Sequence, residues 1–344
     1  MATIIDVAAR AGVSTTTVSR VLNNYLPVNT LTKKKVMEAM EELGYHPSSL
    51  AQGMRTQRTR TIGILIPTYR NYWYADLLNF IELEARAAGY LPIVCTTEQE
   101  PGGSEHVNTL LRRQVDGIIL CWYHGVMTDQ KYLARIVRET PFVIMDQPAD
   151  GLPVSSVYTD GYTGVKQLVA ALIDGGHRRI GIIKYLAENS TSENRFQGYC
   201  DALEEHGIGR DARLIAQSDY STDGGREAAG RLLMKSSPTA IVTVGDDMAI
   251  GALRYCYEHG IGVPGDISVS GFDDIPIARI VTPSLTTVAQ PIKLMAETAT
   301  RQVIRHIEHP SARRQEFVFE TSLVYRESTR FLNEGARVRK VKRT

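Results

Sequence analysis

The sequence predicts an α/β protein in two parts: a small all-α head containing a helix-turn-helix unit, then a core of two lobes built from parallel sheets covered by helices. Three observations lead there. Residues 6–24, DVAARAGVSTTTVSRVLNN, carry helical apolar spacing interrupted by Gly12 and a run of hydroxyl side chains from Ser14 to Thr17. From Thr61 onward, short apolar runs alternate with longer amphipathic segments, the pattern of repeated βα units. Finally, 344 residues are too many for one small domain, and roughly ten strands crowd a single small sheet.

Composition fits a globular chain, with 43% hydrophobic and 22% charged residues. The formal net charge of +1 hides an uneven distribution. Residues 1–60 hold eight basic side chains against four acidic, and the last ten hold five basic and no acidic. The body between carries 26 basic against 34 acidic. A basic head on an acidic body predicts a polyanion partner at the N-terminus. Cys95, Cys121, Cys200 and Cys256 have no metal-ligand spacing and read as buried free thiols. With no apolar leader and no run long enough to span a bilayer, the expected location is cytoplasmic, with no membrane partner.

In the head, Ile4, Val7, Ala8 and Ala11 share one helical face, and Gly12-Val13 turn the chain. Ser14 is placed to cap the next helix, whose buried face is Val18, Val21 and Leu22. Thr15, Thr16, Ser19 and Arg20 are left pointing outward. A third helix is expected from a cap at Asn29, with Val36, Met40 and Leu43 on its inner face and a stop at Gly44. Two short helices about a Gly-containing turn suit the DNA major groove. Small hydroxyls let a helix end approach base edges and phosphates, Arg20 has the reach for a bidentate contact to guanine, and Lys33, Lys34 and Lys35 would meet phosphates.

Strand-like runs in the core are 62–66, 92–95, 117–121, 142–146, 180–184, 240–244 and 267–271, and helical segments include 75–88, 104–114, 161–174, 193–206, 222–235 and 290–308. Ligands of such folds bind beyond the carboxyl ends of the strands, often between lobes. No phosphate-binding glycine loop, nucleophile elbow or HExxH motif is present, so the expectation is a protein that is not an enzyme, with no cofactor. The HIEHP run (306–310) reads as a solvated helix end rather than a metal pair. The two aspartates of GFDD (271–274) should point different ways.

TIIDVAARAGVSTTTVSRVLNN followed by TKKKVMEAMEELGYHP resembles the DNA-binding head of the LacI/GalR family of transcription regulators. GHRRIGII, NRFQGYCDAL, DDMAIGAL, VPGDISVSGFDD, PSLTTVAQP and ETSLVYRES resemble that family's regulatory core, which is similar to periplasmic sugar-binding proteins. The resemblance covers about residues 3–330. It implies a head over 1–46, a hinge helix or linker over 47–60 and a core over 61–330. Lobe 1 would take about 61–160 and 289–320, lobe 2 about 161–288 and 321–330, with crossings near Asp160, Val288 and Thr321. Residues 331–344 are then a basic tail without the leucine heptad of a tetramerisation helix.

Carried over by position, DNA contacts fall on Ser14, Thr15, Thr16, Thr17, Ser19, Arg20, Asn23 and Lys33. Met54 stands where an apolar residue, usually leucine, wedges into the minor groove. The effector cleft would be lined by Trp73, Tyr74, Trp122, Asp146, Arg195, Tyr220, Asp246, Asp273 and Gln290. Aromatic faces and charged hydrogen-bonding groups suit a sugar or sugar derivative. Many members have asparagine where Gly245 stands, and Arg70 in an aromatic loop leaves an acidic sugar open. The resemblance implies a homodimer on a pseudo-palindromic double-stranded operator, acting as a repressor of carbohydrate-utilisation genes. A purine-responsive regulator of the same family, or a solute-binding protein, is the alternative.

Overall fold

In the computed structural model the described residues are 2–23, 28–45, 58–97, 104–121, 130–149, 151–186 and 190–333. The chain divides into two compact units, Met1–Arg60 and Thr61–Thr344.

The first unit holds three helices, α1 (Ile4–Ala11), α2 (Thr15–Asn23) and α3 (Thr30–Glu42). Thr3 and Asp6 form a reciprocal capping box on α1, and Gly12 ends the helix at φ 67°, where a side chain would be strained. Asn29 caps α3 by accepting from the Leu31 N–H. Val7, Val18 and Val36, one from each helix, are fully buried and form the centre of the small core. Arg10 pairs with Glu42, tying α1 to α3. Leu43, expected on the inner face, is instead exposed. Gly44 (φ 57°) reverses the chain immediately after it, and Tyr45 packs on the core in its place.

The second unit contains two six-stranded sheets. The first takes β1 (Thr61–Ile66), β2 (Leu91–Thr96), β3 (Gly117–Cys121), β4 (Phe142–Met145), β5 (Ser155–Thr159) and β11 (Glu316–Phe319), in the order β11-β5-β4-β3-β1-β2, all parallel. The second takes β6 (Ile180–Tyr185), β7 (Ile215–Ser218), β8 (Ala240–Thr243), β9 (Ser268–Asp273), β10 (Thr286–Ala289) and β12 (Ser322–Val324), in the order β12-β10-β9-β8-β6-β7. Only β12 runs antiparallel to its neighbour. Helices α4 (Tyr72–Ala87), α5 (Ser104–Arg112), α6 (Gln130–Glu139) and α11 (Ile292–Glu308) accompany the first sheet. Helices α7 (Gly161–Asp174), α8 (Ser190–Glu205), α9 (Thr222–Lys235) and α10 (Asp246–Glu258) accompany the second. Covered on both faces, central strands such as β3 and β8 are buried at every residue, which is why they read as unbroken apolar runs.

The chain passes between sheets three times: after β5, after β10 and between β11 and β12. In both sheets the first strand lies between the second and third, so each has its topological switch point beside that strand. The cysteines are free; Cys121 and Cys256 are buried, while Cys95 and Cys200 are only half-buried. His306 is not solvated as the HIEHP pattern suggested: it is fully buried, with Nε2 2.8 Å from the Ser155 hydroxyl. Among the described residues no helix is long and apolar enough to cross a membrane, and no cluster of His, Cys, Asp and Glu could hold a metal ion.

Candidate functional site

Two places carry chemistry, one in each unit. In the head, the hydroxyl run divides into two pairs. Ser14 Oγ accepts from the Thr17 N–H at 3.1 Å and lies 2.9 Å from the Thr17 hydroxyl, so this pair caps α2. Thr15, Thr16 and Arg20 are exposed, whereas Thr17 and Ser19 are half-buried. Lys33 is exposed at the start of α3, and Lys34 stands 3.8 Å from Glu38. The first turn of α2 has no acidic residue to repel a polyanion. Met54 and the Asn23 side chain lie outside what the structure describes, as does nearly all of 47–59.

In the core, the carboxyl ends of the two sheets face one cavity of about 670 Å³. The first lobe supplies the loop and helix start after β1, from Pro67 to Tyr74, with Thr97 and Asp146. The second supplies Tyr185, Ser192, Arg195, Tyr220, Asp247 and Asp273, and Gln290 stands at a crossover. Asn71 caps α4 by accepting from the Trp73 N–H at 2.8 Å, and this turns the Trp73 and Tyr74 rings inward. The rings meet edge to face, centroids 5.0 Å apart. Both are nearly buried, so they serve the core and the cavity wall together. The Trp73 indole N–H has no partner among the described residues.

Arg195, 2% exposed, organises the opposite wall. Its Nη1 donates to the Tyr220 hydroxyl at 2.8 Å and to the Val244 carbonyl at 2.7 Å, and its guanidinium lies 3.7 Å from the centre of the Phe272 ring. Asp273 stands 3.8 Å away and Asp146, across the cleft on the first lobe, 3.9 Å. Thr191 donates to the Asp146 carbonyl at 2.6 Å, so this bond and the approach of Arg195 to Asp146 both span the lobes, and the Tyr72 backbone amide faces Asp247 and favours its charged form. Gln290 donates to Asp273 at 2.6 Å and accepts from Thr159 at 2.6 Å.

Burial dominates the electrostatics. It pushes Asp146 up to about 6 against the pull of Arg195, Asp247 up to about 7, and Asp273 up to about 7 against Arg195 and Gln290. Asp146 (φ 66°), Tyr220 (φ 69°) and Asp273 (φ 122°) all hold left-handed backbone, which costs energy for any residue but glycine and is hardest for the tyrosine. Such strain concentrated around one cavity marks a site whose side-chain directions matter more than local stability.

The structure corrects one cleft assignment. Asp246 does not line the cavity: it is fully buried, accepting from the Thr287 hydroxyl at 2.6 Å and the Ile275 N–H at 3.0 Å, a brace between α10 and β10. Asp247, one residue on and turned around the helix, reaches the cavity instead. Trp73, Tyr74, Asp146, Arg195, Tyr220, Asp273 and Gln290 do come together there; Trp122 lies outside the described residues. Asp274 points away from Asp273 to Arg326 and to Arg279. Sequence reading missed Asp219, Ser221 and Asp223, which line the cavity from the loop before α9 and its first turn. An acid-rich, hydroxyl-rich turn after a short strand was the available signal.

Residues 3–48 match the family model described as bacterial regulatory proteins, lacI family, and residues 169–329 match a periplasmic binding protein-like domain. The chain is 35% identical over 333 residues to the HTH-type transcriptional regulator DegA of Bacillus subtilis, covering 96% of this chain and 99% of that protein. It is 34% identical to the ribose operon repressor of Haemophilus influenzae, covering 95% and 98%. Among solved structures, the lac repressor dimer bound to operator and the anti-inducer ONPF is similar at a TM-score of 0.82 and 26% identity, covering 96% of this chain and 99% of that one.

Proposed function

The chain belongs to the LacI family of bacterial regulatory proteins, and we propose that within it this protein is a cytoplasmic, non-catalytic repressor whose operator affinity is set by a neutral sugar held between the core lobes. It is a DNA-binding transcription regulator that works as a homodimer, one recognition helix per half-site. Thr15, Thr16 and Arg20 read bases; Lys33 and the α2 N-terminus hold phosphates. The linker over 47–60 carries the state of the core to the head, with Met54 as its minor-groove wedge.

One observation carries the choice of effector. Asp146, Asp219, Asp223, Asp247 and Asp273 face the cavity against Arg70 and Arg195, and Arg195 already stands between two of those carboxylates. A sugar acid or sugar phosphate would bring charge of the wrong sign into this wall. Hydroxyl groups, by contrast, donate to carboxylates, and the Trp73 and Tyr74 rings suit the C–H face of a pyranose. The cavity of about 670 Å³ leaves room for more than one sugar unit. The effector acts by differential binding: it favours one lobe arrangement, and operator affinity shifts by no more than that difference.

The test follows tryptophan fluorescence and operator binding together while neutral mono- and disaccharides, sugar acids, sugar phosphates and purines are added. A saturable response to a neutral sugar, accompanied by a change in operator affinity, is expected. A response confined to phosphorylated sugars or purines overturns the choice of effector.

A further inference from the structure

The first sheet is wholly parallel, so its strand starts lie along one rim, in register through Thr61–Leu91, Ile62–Gly117, Ile118–Phe142 and Ser156–Glu316. The core begins at this rim, with Thr61 following Arg60. The segments leading into the strands (58–60, 86–90, 112–116, 138–141, 147–154 and 305–315) hold nine arginines against the carboxylates Asp116, Glu139, Asp150 and Glu308. The equivalent segments before β6 to β10 (174–179, 204–214, 235–239, 258–267 and 280–285) hold five Lys or Arg against six Asp or Glu. Of these two rims, the first is the strongly basic one.

Helix stability explains part of this. Arg86, Arg112, Arg138 and Arg305 sit in the last turns of α4, α5, α6 and α11, where a cation is worth about 0.3–1 kcal/mol against the helix dipole. It does not explain Arg113 and Arg313, which lie in loops, and α7, α8 and α10 in the second lobe end without any basic residue. Arg113, Arg138 and Arg313 are exposed and have no ion pair among the described residues. Arg314 has one guanidinium nitrogen buried without a hydrogen-bond partner there. The positive field reaches inward: buried His306 is pushed down to about 4, first by burial and then by Arg314 and Arg305.

We propose that this rim is a second DNA-contacting surface, gripping backbone phosphates beside the operator and adding affinity without sequence preference. The inference rests on the reading of the chain as an operator-binding regulator. Six strands set the rim at about 24 Å across, the length of about seven base pairs. The chain running from the head joins the core at this rim, so DNA held by the head is tethered to it. Guanidinium groups without carboxylate partners are free to replace counterions on phosphates.

The test uses the full-length protein and the triple variant Arg113→Gln/Arg138→Gln/Arg313→Gln. An operator is selected from a randomised duplex pool, then offered alone at about 20 base pairs or within a flanked duplex of about 60, across a salt series. The unaltered protein should bind the flanked duplex more tightly and with a steeper salt slope. The variant, with an unchanged melting temperature, should lose that advantage, its slope falling by about one for each phosphate contact removed. Its affinity for the short duplex should stay the same. Equal slopes on both duplexes for the unaltered protein, or a flank advantage kept by the variant, would overturn the proposal and leave the rim to an acidic protein partner. A flank-dependent slope with no preference for any selected sequence would sink the operator reading while sustaining the rim.

Discussion

Tyr220 occupies the space that a side chain at Gly245 would need: a Cβ there would lie 2.6 Å from the tyrosine ring. The ring cannot simply withdraw, because its hydroxyl bonds the Val244 carbonyl and accepts from Arg195. A side chain at position 245 is therefore excluded by this tyrosine.

Gly245→Ala should accordingly displace Tyr220 and with it Arg195. We expect effector affinity to fall tenfold or more and stability to drop by about 1–3 kcal/mol, the usual range for overpacking. Operator affinity without effector should stay unchanged. Fluorescence titration and thermal melts check this; an unchanged effector affinity would place the ligand away from this wall.

Effector binding should release protons near neutral pH. Asp146, Asp247 and Asp273 titrate at about 6, 7 and 7 because burial disfavours their charge. Sugar hydroxyls donating to them favour the ionised form, so binding lowers those values and affinity rises with pH through about 6 to 7. Calorimetry in buffers of different ionisation enthalpy reads the proton count directly. Proton uptake would contradict the scheme.

The same groups set a stability trend. A carboxyl whose value is raised by folding contributes stability that is whole below the ordinary carboxylate value, near 4, and is lost as pH climbs to the folded value. The core should therefore lose stability between about pH 4 and 7 through these three residues. Asp273→Asn should flatten that slope while weakening the effector response, and denaturant titrations at several pH values would show it.

In the head, Ser14 and Thr16 should separate cleanly. Ser14→Ala removes the α2 cap and should cost about 1 kcal/mol of head stability. Thr16→Ala touches an exposed side chain, so it should weaken operator binding and leave stability alone. Equal effects on melting would refute this division of roles.

Arg20→Ala should reduce preference for the operator over random duplex by about 1–3 kcal/mol, with a much smaller loss on random DNA. Competition binding at fixed salt distinguishes the two. A uniform loss would make Arg20 a phosphate contact.

Much of the core was legible because buried parallel strands such as β1, β3 and β8 are apolar runs with nowhere to hide. The strands β5, β7 and β10 did not read that way. Ser155, Thr286 and Thr287 are polar yet buried, satisfied by His306, Thr329 and Asp246 from distant parts of the chain, and periodicity cannot see such partners. The cleft was readable in outline, since strand ends name their own loops. Choosing between Asp246 and Asp247 was not, because adjacent residues on a helix differ by about 100° in direction and only the packing of α10 decides which one faces the ligand.

Gln290 has a further consequence. It joins Thr159 at the first crossing to Asp273 on the cavity wall, while Trp73 and Tyr74 come from a separate loop after β1. The Gln290 link between the lobes and the aromatic rings of the cavity wall are thus carried by different segments. Exchanging the Trp73 and Tyr74 side chains therefore leaves the Gln290 link untouched, which makes this short loop the first stretch to graft when a biosensor is wanted for a new sugar.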